Sequence, residues 1–181
     1  KRTGLYPTDE VLAARVDALM DYDADIFHGV RVLKYKERFG FPEESFDTQL
    51  VVKALLDSVL PRHLGNLCKV LDESTTGWLA GTPKPTIADF FLVPPLNQLL
   101  EVRTPQLQGR QQASAGTLPV CLTGGAAAYT LRGSQEGNGV EEFKGVLKER
   151  FPQLQKLCAK FFAEPAVAEY YAARAAAAGT A

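Results

Sequence analysis

Four side chains near the start of the chain carry groups able to exchange protons or hold charge: Asp21, Asp25, His28 and Tyr35. At about 100° per residue they gather on one side of a helix. Asp25 and His28 are neighbours at i, i+3, and His28 and Tyr35 stand two turns apart on one line. The opposite side carries Leu12, Val16, Leu19, Ile26, Val30 and Leu33 at helical spacing. A polar and aromatic line facing away from a core can meet only solvent, a second subunit or another domain. Phe27 and Val32 flank the line, either as pocket wall or as core and interface packing. His28 reads as an interface side chain more readily than as an acid–base group.

Composition bounds the rest of the chemistry. The 181 residues hold 20 Lys plus Arg against 21 Asp plus Glu, a formal charge of -1, so no basic excess points to nucleic acid. The histidines are His28 and His63, and the cysteines are Cys68, Cys121 and Cys158, with no CxxC and no metal-ligand spacing. Neither a zinc site nor a disulfide framework is expected, and a reducing, cytoplasmic compartment fits that cysteine usage. Cys68 and Cys158 fall on apolar helix faces as buried small side chains, which leaves Cys121 as the thiol best placed to react. No run approaches the ~20 apolar residues that span a bilayer, and nothing at the start reads as a signal peptide. The sequence opens Lys1-Arg2-Thr3-Gly4, which reads as a fragment or a processed product.

The elements that must position these groups are helical. Thr8 or Asp9 caps a first helix that runs to about Lys36 and is ended by Phe39-Gly40-Phe41-Pro42. A second helix is expected from about Pro42-Glu43-Glu44 to Asp72, kinked at Pro61, where a backbone donor is missing. Thr86-Ile87-Ala88-Asp89 opens a third as a capping box with Asp in the place of Glu or Gln. In such a box the Thr86 hydroxyl accepts from the Asp89 N–H, and the Asp89 carboxylate accepts from the Thr86 N–H. Pro94-Pro95 should bend that helix. Trp78, in the loop before it, reads as a core anchor. Between about Arg103 and Gly139 no period persists, so an irregular insertion is expected there. Arg103, Arg110 and Arg132 within it suit solubility, or the folding of a loop over an anionic ligand. Helical order resumes near Glu141, breaks before Pro152, and continues through Leu154, Leu157, Cys158, Phe161 and Phe162. A last short helix opens at Pro165, with an alanine-rich end expected to fray. No strand pattern appears, so the expected fold is an all-α bundle of five to six helices in a single domain.

Three stretches in order resemble the C-terminal helical domain of the glutathione S-transferase family. Gly4-Leu5-Tyr6-Pro7-Thr8-Asp9 with Ala14-Arg15-Val16-Asp17 is similar to the family's interdomain link and the first helix that follows it. Leu60-Pro61-Arg62-His63-Leu64, running into Gly77-Trp78-Leu79-Ala80-Gly81, resembles the second stretch. Thr86-Ile87-Ala88-Asp89-Phe90 resembles the family's capping box, with Phe151-Pro152-Gln153-Leu154 and Glu164-Pro165-Ala166-Val167 downstream. The insertion departs from the family pattern.

The resemblance implies an intact protein that conjugates glutathione, or a related thiol, to small-molecule electrophiles, as in detoxification. The thiol-activating Tyr, Ser or Cys belongs to a thioredoxin-like N-terminal domain absent from this chain, so no catalytic residue is assigned here. The helical domain then supplies the electrophile pocket and part of a homodimer interface. By position after Leu5-Tyr6, Asp25 resembles the acid that reaches across the dimer to the amino group of glutathione. Tyr35, with Phe27 and His28 beside it, resembles the electrophile pocket. Thr86 and Asp89 take the structural capping role. The same helical domain also occurs as a non-catalytic interaction module of translation-elongation and tRNA-synthetase complexes, which is the alternative reading. The insertion could serve as a lid or docking segment, or be a tolerated surface loop.

Overall fold

The computed structural model describes residues 4–41, 47–100 and 147–178, and all regular structure among them is helical. Helix α1 spans Glu10–Lys34, opened by Asp9, whose carboxylate accepts from the Leu12 N–H at 2.9 Å. A 3₁₀ turn, Lys36–Phe39, follows it, and Gly40 closes that turn at φ 78, a left-handed conformation that favours glycine. Helix α2 is Thr48–Ala54, capped by Asp47, which accepts from the Leu50 N–H at 2.9 Å. The expected start at Pro42 to Glu44 lies outside the described residues.

The disturbance expected at Pro61 takes the form of a π-helical turn, Leu55–Val59, between α2 and α3, Leu60–Asp72. Proline lacks an N–H and crowds the carbonyl four residues before it. Widening the turn so that the Leu60 N–H reaches the Leu55 carbonyl accommodates both effects.

Helix α4, Ile87–Leu100, continues through Pro94 and Pro95. Helix α5 is Pro152–Ala163, preceded by a turn at 147–150. Helix α6 is Pro165–Ala178; its alanine run stays helical where fraying was expected, in keeping with alanine's helix propensity. The insertion, Cys121, Arg103, Arg110, Arg132 and the helix start near Glu141 lie outside the described residues.

Helix α1 packs on α4, and α4 on α5. Ile26, Leu60, Leu64, Leu67, Leu92, Leu96, Leu100, Phe161 and Phe162 form the buried centre, with Trp78 as the expected anchor at 3% exposure. The Lys160 ammonium stands 4.1 Å over the Trp78 ring and donates to the Thr76 carbonyl at 2.6 Å.

Helices α1 and α3 meet along a seam with contacts every two turns of α1. Arg15 pairs with Glu73 at 3.3 Å. Tyr22 bonds His63 at 2.8 Å and Asn66 at 3.1 Å. Gly29 faces the start of the π turn, where a Cβ would stand 2.5 Å from Leu55 Cδ2, so any larger residue there would push the Leu55 side chain aside.

Candidate functional site

Helix geometry and burial divide the six residues expected on the outer line and its flank, Asp21 lying exposed and Val32 half-buried. Asp25 is exposed and makes no hydrogen bond or ion pair with the described residues. His28 is also exposed, and its ring meets the edge of Phe39 with centroids 5.7 Å apart and planes at 75°. Tyr35 ends α1, half-buried, its N–H donating to the Arg31 carbonyl at 2.8 Å. The Lys34 ammonium and the Arg38 guanidinium stand 5.4 and 5.0 Å from the centre of its ring. Phe27 turns inward, 5% exposed, with the Arg31 guanidinium 5.8 Å above its ring. Of the two readings open for Phe27, core packing is the one the structure takes. Asp25 and His28 remain on the outer face, and Tyr35 lies at its rim.

Two features of α1 were missed by sequence reasoning. Asp23 sits in the apolar stripe at 5% exposure and is held there by an ion pair with Arg31, two turns on. The available signal was a gap: Leu19 and Ile26 are seven apart, and the intervening core position carries an acid. Lys34 also lies toward the core side of the last turn. Burial lowers its amine from 10.5 to about 8.

The start of α4 is the most tightly organised polar group. Asp89 is fully buried, and its carboxylate accepts from the Thr86 N–H at 2.8 Å, the Thr86 hydroxyl at 3.0 Å and the Leu79 N–H at 3.0 Å. The carboxylate half of the capping box stands as expected. The hydroxyl half is corrected: Thr86 donates its O–H to the carboxylate, and the Asp89 N–H bonds the Thr86 carbonyl at 3.0 Å. An ionised carboxylate accepts at several sites and draws nearby donors toward itself. Burial raises the Asp89 carboxyl above its usual range, and the three bonds from Thr86 and Leu79 oppose that shift. With both oxygens committed to the cap, the role of Asp89 is structural.

The segment ahead of α1 is tied to both helices. The Leu5 carbonyl accepts from the Ile87 N–H at 2.9 Å, which occupies a free donor at the start of α4. The Tyr6 hydroxyl lies 2.7 Å from each oxygen of Asp17, and that carboxylate pushes the phenol's pKa up.

Cys68 and Cys158 are buried as expected, and burial raises both thiols, Cys158 to about 12. Thiols held protonated are poor nucleophiles. Among the described residues no cluster of His, Cys, Asp and Glu could hold a metal ion, and no helix is long and apolar enough to cross a membrane. The outer face of α1 therefore offers an exposed carboxylate, an imidazole and a phenol at its rim, suited to binding and in need of a second surface to form a pocket. Comparison with family models, curated proteins and solved structures finds no match for this chain.

Proposed function

We propose that this chain is the helical C-terminal domain of a glutathione-transferase-type protein, and that the intact protein joins glutathione or a related thiol to electrophilic small molecules. The observation that supports the reading is the double tie of the segment ahead of α1. Leu5 binds the start of α4, Tyr6 binds Asp17 of α1, and the buried Asp89 cap closes the same corner. That arrangement would hold a preceding domain at a fixed angle over the outer face of α1.

In this reading the preceding domain activates the thiol, and a second copy of the chain completes the site by two-fold symmetry. Asp25, free of partners among the described residues, receives the ammonium of glutathione from the other subunit. Tyr35 and His28 line the electrophile side, with Phe27 supporting them from the core.

The test is a conjugation assay with a chromogenic aryl halide on the natural full-length protein. Turnover should be present there and absent from residues 1–181 alone. Asp25→Asn in the full-length protein should raise KM for glutathione about tenfold and leave kcat nearly unchanged, as for the loss of a ground-state charge contact. Absence of both turnover and glutathione retention would overturn the enzyme reading. A second reading draws on Phe39 and Phe41, large apolar side chains 45% and 44% exposed beside the line. They favour a non-catalytic module that docks to a protein partner. Recovery of elongation-factor or synthetase subunits at fixed stoichiometry, without conjugation activity, would select it.

A further inference from the structure

On the α1–α3 seam, one helical turn along from Asp25 of the line discussed above, four polar side chains form one hydrogen-bonded group. The His63 Nδ1 lies 2.8 Å from the Tyr22 hydroxyl, and the Asn66 amide donates to that hydroxyl at 3.1 Å. The Arg62 guanidinium lies 3.2 Å from His63 Nε2.

The donor and acceptor roles follow from chemistry. A guanidinium has only N–H groups, so Arg62 donates and His63 Nε2 accepts. A ring nitrogen that accepts carries no proton, so this arrangement places the His63 ring hydrogen on Nδ1. Nδ1–H then donates to Tyr22, whose oxygen already accepts from Asn66. Both lone pairs of the phenol are occupied, and its own O–H is left pointing out of the group.

What remains facing solvent is mostly donor. Tyr22 offers its O–H, Asn66 its second amide N–H, and Arg62 its other N–H groups; the Asn66 carbonyl is the group's one remaining side-chain acceptor. Arg62 has no carboxylate partner among the described residues. Lys69 is exposed and falls on the same line of α3, as the i+7 member after Arg62 and Asn66. The acids on α1 nearest in sequence to Tyr22 are Asp21, Asp23 and Asp25. Asp23 is buried against Arg31, and Asp21 and Asp25 are exposed. An anion is therefore received from the α3 side.

We propose that Tyr22, Arg62, His63 and Asn66 form a binding site for an oxyanion, a phosphate or a carboxylate, on the α1–α3 seam. Arg62 supplies the charge, and Tyr22 and Asn66 orient the ligand oxygens. Helices α1 and α3 hold the donors in place before the ligand arrives, which reduces the ordering cost of binding. The site does not depend on the transferase reading, because no thiol or electrophile takes part in it.

The experiment is nuclear magnetic resonance on the isotopically labelled 181-residue chain. Long-range nitrogen–carbon spectra of His63 should show the Nδ1–H tautomer; the Nε2–H tautomer would overturn the proposal. Titration with inorganic phosphate, against chloride at equal ionic strength, should shift the signals of Tyr22, Arg62, His63 and Asn66 together. Titration with acetate separates the sources: a stronger response to phosphate assigns a phosphate ligand, and a stronger response to acetate assigns a carboxylate. Arg62→Met should weaken binding about tenfold, as for loss of a charge-assisted contact, and Lys53→Met, a cation elsewhere on the surface, should leave it unchanged. Equal weakening by both variants, or a response no larger than that to chloride, would overturn the site.

Discussion

Two carboxylates are buried among the described residues, and they are held in opposite ways. Asp89 is surrounded by neutral donors, two backbone N–H groups and one hydroxyl, at 2.8 to 3.0 Å. Asp23 is held by a cation, the Arg31 guanidinium on the same helix. In the first case the donors are already ordered by the chain's entry into α4, and the carboxylate answers several needs at once. In the second, two charges cancel inside an otherwise apolar stripe. A buried polar group that satisfies backbone donors is difficult to replace, whereas a buried pair joined side chain to side chain leaves no backbone donor of its partner unmet when both members change together.

The largest effect is therefore expected at Asp89. Asp89→Ala orphans the Leu79 and Thr86 N–H groups and the Thr86 hydroxyl in a site closed to water. Urea unfolding should show a loss of about 3 kcal/mol. Asp89→Asn keeps one acceptor oxygen but turns an NH₂ group toward a donor, so it should fall between the wild type and the alanine variant. If the alanine variant melts with the wild type, the cap does not hold this corner.

Next in size is Asp23→Ala, which removes the Asp23 carboxylate from an Arg31 guanidinium at 15% exposure. The expected loss is about 2 kcal/mol, reduced from the range for full burial because solvent still reaches the guanidinium. The double variant Asp23→Leu with Arg31→Met should return to within about 1 kcal/mol of the wild type, since an apolar pair restores the stripe. A double variant as unstable as the single one would show that the pair does more than cancel its own charge.

The same contrast explains what was legible in the sequence. Asp89 was readable because its partner Thr86 is three residues away and helix starts use few local patterns; only the direction of the hydroxyl bond was missed, because it depends on where the carboxylate oxygens settle. Asp9 as a cap, Gly40 as a terminator and the burial of Trp78, Cys68 and Cys158 were readable for the same local reason. Asp23 was not, because a pairing across two turns has no motif and shows only as a gap between Leu19 and Ile26. The π turn was placed at the right proline but expected as a kink, since a missing donor at Pro61 does not by itself select the relief. On the outer face, the wheel put Asp25 and His28 outside and could not decide Phe27, which lies at the margin of the stripe. The seam of Tyr22 with His63 and Asn66 was invisible, because residues 41 and 44 apart meet only once two helices are docked.

Lys34 gives the smallest effect and the sharpest sign. It shares α1 with Asp23, yet burial lowers its amine to about 8, the direction expected where desolvation outweighs charge neutralisation. Below pH 8 the ammonium is charged in both folded and unfolded chains, and the folded state carries the net cost of burying it. Between 8 and the unfolded value of 10.5 the folded chain releases its proton first and the cost fades; above 10.5 it is gone. Lys34→Met should therefore stabilise the protein at pH 7 by on the order of 1 kcal/mol, after discounting for the solvent that still reaches a half-buried amine and for the lost contact with the Tyr35 ring. Urea unfolding at pH 7 and at pH 10 checks the sign, with the gain smaller at the higher pH. A gain unchanged by pH would trace to side-chain packing. A loss at pH 7 would show that the contacts of the Lys34 ammonium outweigh the cost of its burial, and the middle and the end of α1 would then follow one rule.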